Sequence, residues 1–431
     1  MSDKNIHVHH VTRIEGHADI HVVVTGGRVE TVRWEIPESP RLFEVMLLGR
    51  DHSDAAHIAS RICGICSISH SIASLRASEA AFGIVPSEQT ERLRRLLFAA
   101  EILESHILHI YFLAAPDFLG ADSAFSLAAS HREVVLRAMN LKRLAYTLAD
   151  RLAGRKTHPI SCVVGGFAKL PSPGLLEEAR AQIEAAIPDL EETAQLLATF
   201  DIPGFTRETE YIGLTAADDY PFIGRTVASS DTGVAPIEEF LPTIREHCRP
   251  HSTAKHARHE RESYMVGALA RFNLNAANLH PRALRAAAAL GLNAPCHNPY
   301  LITAAQAVEV VHAAEDSLVQ IDALLEAGIR PETIHVSPRA GRGIGVVEAP
   351  RGLLIHDYTY DDDGRVTAAD CIIPTAQNHG NIQRDFEALV PAIVDRSEEE
   401  IRRALEMLAR AYDPCVSCST HELKVRLDVE R

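Results

Sequence analysis

The sequence lacks any run of lysine and arginine long enough to track a nucleic-acid backbone. Its 43 basic residues stand against 58 acidic ones, a formal net charge of −15, and without a basic face nucleic acid is excluded as a partner. The N-terminal MSDKNIHVHH lacks a basic segment followed by an apolar run and a small-residue cleavage site, so no Sec-type signal is read and a cytoplasmic location is expected. No long apolar stretch is free of ionisable groups. The most apolar one, Leu96 to Ala115, carries Glu101, Glu104, His106 and His109, which makes a buried helix the expectation and a direct membrane span costly. Internal repeats and low-complexity tracts are absent. Cysteine is sparse, at positions 63, 66, 162, 248, 296, 371, 415 and 418. In a long chain without an export signal these point to thiolate or metal chemistry before a disulfide framework.

What is present is enough apolar material, 46% of 431 residues, for a large core. Residues 5 to 36 alternate apolar and polar positions around Gly26-Gly27, which predicts a small N-terminal sheet over 1–40. From Arg41 to about 200 the text is Ala/Leu/Glu/Arg-rich at helical spacing, as in SEQTERLRRLLFAAEILESHILHIYFL, and predicts the helices of a core bundle. Residues 201–262 turn Gly/Pro/Thr/Asp-rich, an insertion of short strands and loops. Helix resumes near Met265 and, with a hairpin at 353–374 turning on Asp363-Gly364 and a last helix in RSEEEIRRALEMLARAYDP, completes a second helical stretch over 263–421. The expected fold class is α-dominated α+β: a large central helical bundle with small peripheral sheets at the N-terminus, mid-chain and near the C-terminus, within a single domain.

Cys63 and Cys66 form one Cys-x-x-Cys pair, and Cys415 and Cys418 another. Each pair lets two thiolates converge on one ion, and two pairs supply four soft ligands suited to zinc, iron-sulfur or nickel. Zinc ribbons place their pairs about 15 to 20 residues apart; here nearly the whole chain intervenes, which disfavours a structural zinc. Cys162, Cys248, Cys296 and Cys371 stand singly and read as small core residues or bystanders. His247, His251, His256 and His259 sit beside Cys248 in a polar run without ligand spacing, expected to be a solvated loop.

The flanks of the pairs, RICGICSISH (Arg61 to His70) and DPCVSCSTH (Asp413 to His421), closely resemble the two signatures of nickel-iron hydrogenase large (catalytic) subunits. The resemblance extends in order through TRIEGH (Thr12 to His17), FEVMLLGRD (Phe43 to Asp51), EAPRG (Glu348 to Gly352) and PTAQN (Pro374 to Asn378), so that six motifs cover the chain end to end. It implies reversible heterolytic cleavage of H2 at a Ni-Fe(CN)2(CO) centre. All four thiolates would bind nickel, with Cys66 and Cys418 bridging to iron and Cys63 and Cys415 terminal.

By the same resemblance Cys415 is the first proton acceptor and Glu15 passes the proton outward; from the residues alone, Glu15 could equally be an edge carboxylate paired with Arg13. Arg351, beside Pro350, resembles the guanidinium that overhangs the metals. Electrostatic positioning suits it better than proton transfer, because guanidinium is a poor base. Asp413 would be its carboxylate partner. Thr375 matches a hydroxyl that hydrogen-bonds an iron cyanide, and His70, four residues past Cys66, could donate to the bridging sulfur. Glu44, His421 and the carbonyl of His379 match the ligands of a second buried ion, magnesium or iron.

One segment departs from periplasmic relatives, whose His-Asp-His places an Asp on the active-site arginine. This chain reads Glu104-Ser105-His106, so Arg351 should lean more on Asp413. ESHILHIYFL instead resembles the cytoplasmic multimeric hydrogenases coupled to soluble carriers. With four thiols committed to nickel, no cysteine cluster remains for an iron-sulfur cluster in this chain. Electrons would leave through an obligate iron-sulfur small subunit, followed by further flavin or iron-sulfur subunits. Maturation would require nickel-insertion proteins and a protease, with 422–431 (ELKVRLDVER) the removable peptide and cleavage after His421. The alternatives are a hydrogen-sensing regulatory hydrogenase and a non-catalytic complex I-like subunit; the latter lacks the nickel cysteines that are present here.

Overall fold

The computed structural model describes residues 3–420. Four long helices form the centre: Glu88–Leu108, Arg132–Ala153, Pro173–Leu197 and Ile302–Ala327, packed against one another. Their limits follow from local chemistry. Ser87 caps the first by accepting from the Thr90 N–H, and Gly154 ends the second in the left-handed region. Proline opens the third at its first turn, where no N–H is needed. The helix at 88–108 continues as a π-helical turn over His109–Ala114. The helical stretch Glu88–Phe118 is apolar and long enough to cross a membrane, but it is mostly buried in the protein's own core.

Small sheets surround the bundle, and the fold is the α-dominated α+β architecture expected. The N-terminal sheet pairs Lys4–Val8, Asp19–Thr25 and Arg28–Glu35 in sequence order, all antiparallel. The mid-chain insertion holds a four-stranded sheet built on Glu210–Leu214 and a separate ribbon of Arg245–Arg249 with Ser252–Arg258. That ribbon corrects the expected solvated loop: His256 and His259 are buried, the latter with Nδ1 2.6 Å from Glu210 Oε1. The hairpin near the C-terminus is one strand larger than expected, because Gly341–Ala349 precedes Gly352–Tyr360 and Val366–Ile372.

This third sheet positions the site. Helix Ser67–Phe82, which begins directly after Cys66, lies across Gly341–Ala349 and Gly352–Tyr360. The approach is possible because the strand presents glycine to the helix. A Cβ at Gly345 would stand 1.9 Å from the Ala73 carbonyl oxygen, and one at Gly343 2.1 Å from that of Ala77. The main hydrophobic core is one cluster running from Ile6 to Cys418, with a smaller one between the mid-chain and C-terminal sheets.

Candidate metal centre

The four cysteines Cys63, Cys66, Cys415 and Cys418 come together as one buried group, their sulfurs all within 4.8 Å of one another. Cys63 leaves a single 3-10 turn in extended conformation, and Cys66 stands at the N-terminus of helix Ser67–Phe82. The other pair lies on the segment after helix Glu398–Ala411, where Asp413 adopts a positive φ of 49° and turns the chain back into the core. Cys63 Sγ is 3.7 Å from Cys415 Sγ. Cys415 and Cys418 are joined as a disulfide, their Cα atoms 5.5 Å apart, where the sequence predicts four thiolates. Two cysteines so spaced are within bonding reach of each other, and only their reduced state offers both sulfurs to an ion.

Electrostatics favour one anionic sulfur here, that of Cys63. Burial opposes ionisation of Cys63, but the Cys66 thiol, the Arg351 charge and the N–H groups of Cys66 (3.0 Å) and Ile65 (3.3 Å) outweigh it and hold its pKa below that of an ordinary thiol. Cys66 is pushed well up by its bond to Cys63 and by burial. Arg351 donates through Nε to the Asp413 carbonyl (2.5 Å) and through Nη2 to Asp413 Oδ1 (2.8 Å), while its buried Nη1 has no hydrogen-bond partner among the described residues. A buried guanidinium nitrogen left unpaired beside four cysteines is what a group bound between them would use. The donor set and this unpaired cation both fit a thiolate-bound metal with its own polar ligands.

Ser105 is buried, and its hydroxyl bonds nothing among the described residues, so the arginine's side-chain partner there is Asp413 alone. Asp413 Oδ2 in turn accepts from Gln306 Nε2 (3.3 Å), and Gln306 is tied to His109. Pro350 is held through its carbonyl, which with that of Ala349 accepts from Arg271; both distances are 3.0 Å. Arg271 is wholly buried against Glu309 and Glu348, so the turn that aims Arg351 is fixed by an internal ion-pair network.

Glu15 lies alongside Cys415, not Arg13. Its backbone forms a parallel bridge to Cys415, and its carboxylate accepts from the Ser417 N–H (3.2 Å) and hydroxyl. Arg13 instead pairs with Asp117 at 2.5 Å. Thr375 Oγ1 accepts from the Cys415 N–H at 3.0 Å. His70 is buried on the helix that follows Cys66, its Nδ1 3.0 Å from His356 Nε2.

Two residues outside the sequence motifs also build the site. Arg41 spans the two cysteine loops, donating to the carbonyls of Ile62 (2.7 Å) and Ser417. Buried Glu101 accepts from the N–H groups of Ile68 (2.7 Å) and Ser69 (2.9 Å), capping the helix that starts at Cys66, and burial raises its pKa to about 8. The Glu101 position was visible only as an ionisable residue in an apolar run.

The residues expected to hold a second ion are arranged differently. Glu44 accepts from the Lys255 ammonium (3.1 Å) and the Cys371 N–H (2.9 Å), and Lys255 also reaches Glu246 (2.9 Å) and Asp370 (3.3 Å). The His379 ring is bonded to Trp34 and Ser419 at 2.9 Å each, and His421 lies outside the described residues. The Glu44 carboxylate, expected to bind a dication, thus faces the Lys255 ammonium in the described structure.

Comparison with known proteins agrees with the four-cysteine geometry. The family model described as "Nickel-dependent hydrogenase" matches residues 41–135 and 237–421. The chain is 33% identical to the alpha chain of sulfhydrogenase 1 of Pyrococcus furiosus, covering 97% of this chain and 98% of that protein. It is 31% identical to one subunit of the F420-non-reducing hydrogenase of Methanothermobacter thermautotrophicus, over 96% and 94% of the two. Among solved structures, an NAD+-reducing NiFe-hydrogenase in the H2-reduced state superposes with a TM-score of 0.81 at 27% identity, over 97% of this chain and 99% of that one.

Proposed function

Because the chain belongs to the nickel-dependent hydrogenase family as a large subunit, we propose that Cys63, Cys66, Cys415 and Cys418 hold a nickel-iron centre at which H2 is split reversibly into protons and electrons. The convergence of two distant Cys-x-x-Cys pairs on one buried point under an unpaired guanidinium nitrogen carries this reading. When bound, the metals supply Lewis-acid polarisation of H2 and take up its electrons.

The protein's own residues manage charge and protons. The Cys415 sulfur takes the first proton, and Glu15, strapped to the same segment, receives it and passes it outward. Arg351 keeps a positive charge beside the cysteines, oriented by Asp413 on one side and by the Arg271-anchored turn, Pro350 included, on the other. Thr375 fixes the Cys415 loop through its oxygen. Its hydroxyl proton, with no acceptor among the described residues, would be free to hold a cyanide ligand of the metal group. His70 supports the Cys66 side. Glu44 acts as a counter-ion to Lys255, and the His379 ring is held between Trp34 and Ser419.

Both relatives are named as subunits of their hydrogenases, and this chain is accordingly one component of a heteromer. Electrons leave through an iron-sulfur small subunit, then flavin or iron-sulfur subunits reducing a soluble acceptor in the cytoplasm. The chain is one large-subunit domain over 1–431, matured by nickel insertion and removal of 422–431, a segment outside the described residues. Metal analysis of Cys66→Ser and Cys418→Ser tests the assignment: each should lack nickel and iron and exchange no deuterium into H2. Stoichiometric nickel retained in both variants would overturn it.

A further inference from the structure

Away from the cysteines, the outer face of the N-terminal sheet gathers imidazoles around one carboxylate. The cause is period-two geometry. Strands Lys4–Val8 and Asp19–Thr25 pair with His7 opposite His21 and Val8 opposite Ile20. Ile6, Val8, Ile20 and Val22 therefore point into the core, while His7, His9, His17, Asp19 and His21 share the other face. Asp19 Oδ2 is 3.2 Å from His9 Nδ1 and 4.0 Å from His7 Nε2, and Oδ1 is 3.0 Å from His17 Nε2. The backbone fixes the carboxylate, since the His10 N–H donates to Oδ1 at 2.7 Å. Among the described residues, its ion-pair partners are these three histidines and no lysine or arginine.

An ordinary surface carboxylate would meet a lysine or arginine, which repel a dication. Asp19 meets groups that, when neutral, are themselves donors. The ligand atoms of His7, His9 and Asp19 all lie within 4.8 Å of one another, and His17 stands on the other side of the same carboxylate. Two imidazoles and one carboxylate oxygen, with a third imidazole adjacent, suit zinc, nickel or copper and supply too few oxygens for magnesium or calcium.

We infer that His7, His9 and Asp19, with His17 beside them, form a second divalent transition-metal site, independent of the four cysteines. An ion there would cross-link the first two strands and close the intervening loop, residues 9–18, which carries Glu15.

The test titrates cobalt(II) into the purified holoenzyme complex, followed by absorption and metal analysis, alongside the double variant His7→Gln/His9→Gln. Both changed side chains are largely exposed, so folding is spared. The wild type is expected to bind one equivalent beyond its active-site metals, with weak ligand-field bands and no thiolate-to-cobalt charge transfer. The variant should bind that equivalent more weakly by at least about 100-fold, a loss already reached by changes outside the first ligand sphere, with hydrogen turnover unchanged. Three results would each overturn the inference: no extra equivalent in the wild type at micromolar cobalt, an extra equivalent that shows thiolate charge transfer, or full retention by the variant.

Discussion

The backbone of Glu15 brackets Cys415: its N–H donates to the Pro414 carbonyl at 3.3 Å, and its carbonyl accepts from the Val416 N–H at 2.9 Å. A residue near the start of the chain and a cysteine near its end are thus held in fixed register, with the Glu15 carboxylate on Ser417. The proposed proton transfer between them would therefore need no rearrangement of the main chain.

Glu15→Gln keeps an oxygen for the Ser417 N–H but cannot carry a proton. Nickel and iron contents should equal those of the wild type, while hydrogen-deuterium exchange slows by about 10²- to 10⁴-fold, the usual share of a positioned acid-base group. Wild-type exchange in this variant would exclude the Glu15 route.

Arg351 carries both a charge and a planar fork, and Arg351→Lys retains the first and loses the second. The expectation is full metal loading with hydrogen oxidation reduced by about 10²- to 10³-fold, as for the removal of one preorganised donor. Turnover within a factor of about two of the wild type would show that the unpaired Nη1 has no part in the reaction.

Lys255 neutralises a pocket of acids, of which Glu246 is raised by burial to about 7 and Glu44 is also raised by burial, each held back by the Lys255 charge. Lys255→Met leaves these carboxylates without their cation and should lower stability by about 3–5 kcal/mol, measured by denaturant unfolding. Adding magnesium to chelator-treated wild type should leave its unfolding midpoint unmoved. A magnesium-dependent rise would restore a divalent ion to Glu44.

His312 is buried with Nδ1 accepting from the His280 N–H at 3.2 Å, and burial, then His280, lowers its pKa to about 4. In the unfolded chain a histidine titrates near about 6.5. Between these values the unfolded state binds the extra proton, so stability is fully present above the unfolded value and falls with pH until it levels off below about 4. His312→Gln should flatten the fall in unfolding free energy between pH 6 and 4 by about 1.4 kcal/mol per pH unit. An unchanged slope would place the titration elsewhere.

The cysteines, Glu15, Arg351, Asp413 and Thr375 were legible because each sits in a short motif whose neighbours narrow its chemistry. Helices were legible from their spacing, and the capping box at Ser397 and Glu400 marks the start of the last one. Strand Gly341–Ala349 was not, because both its faces are buried. Its glycines replace the side chains that would show alternation, and only the helix lying on them reveals why. Arg41, Glu101, Gln306 and Arg271 carry no local pattern, since their partners are distant in sequence. Lys255 and His256 sit in text that reads as solvated, and the ribbon and the helix under it decide their burial. The N-terminal histidines were legible as strand alternation, but their meeting at Asp19 depends on cross-strand register.

Cys63 and Cys415 lie 352 positions apart yet almost touch. During synthesis, therefore, no ion can gain its full set of sulfurs until nearly all of the polypeptide has been made. A chain truncated before Cys415, or cleaved so that its halves separate, forfeits two ligands at once. If these four sulfurs hold nickel as proposed, bound nickel reports that synthesis has passed Cys418 and that both cysteine pairs remain in one molecule.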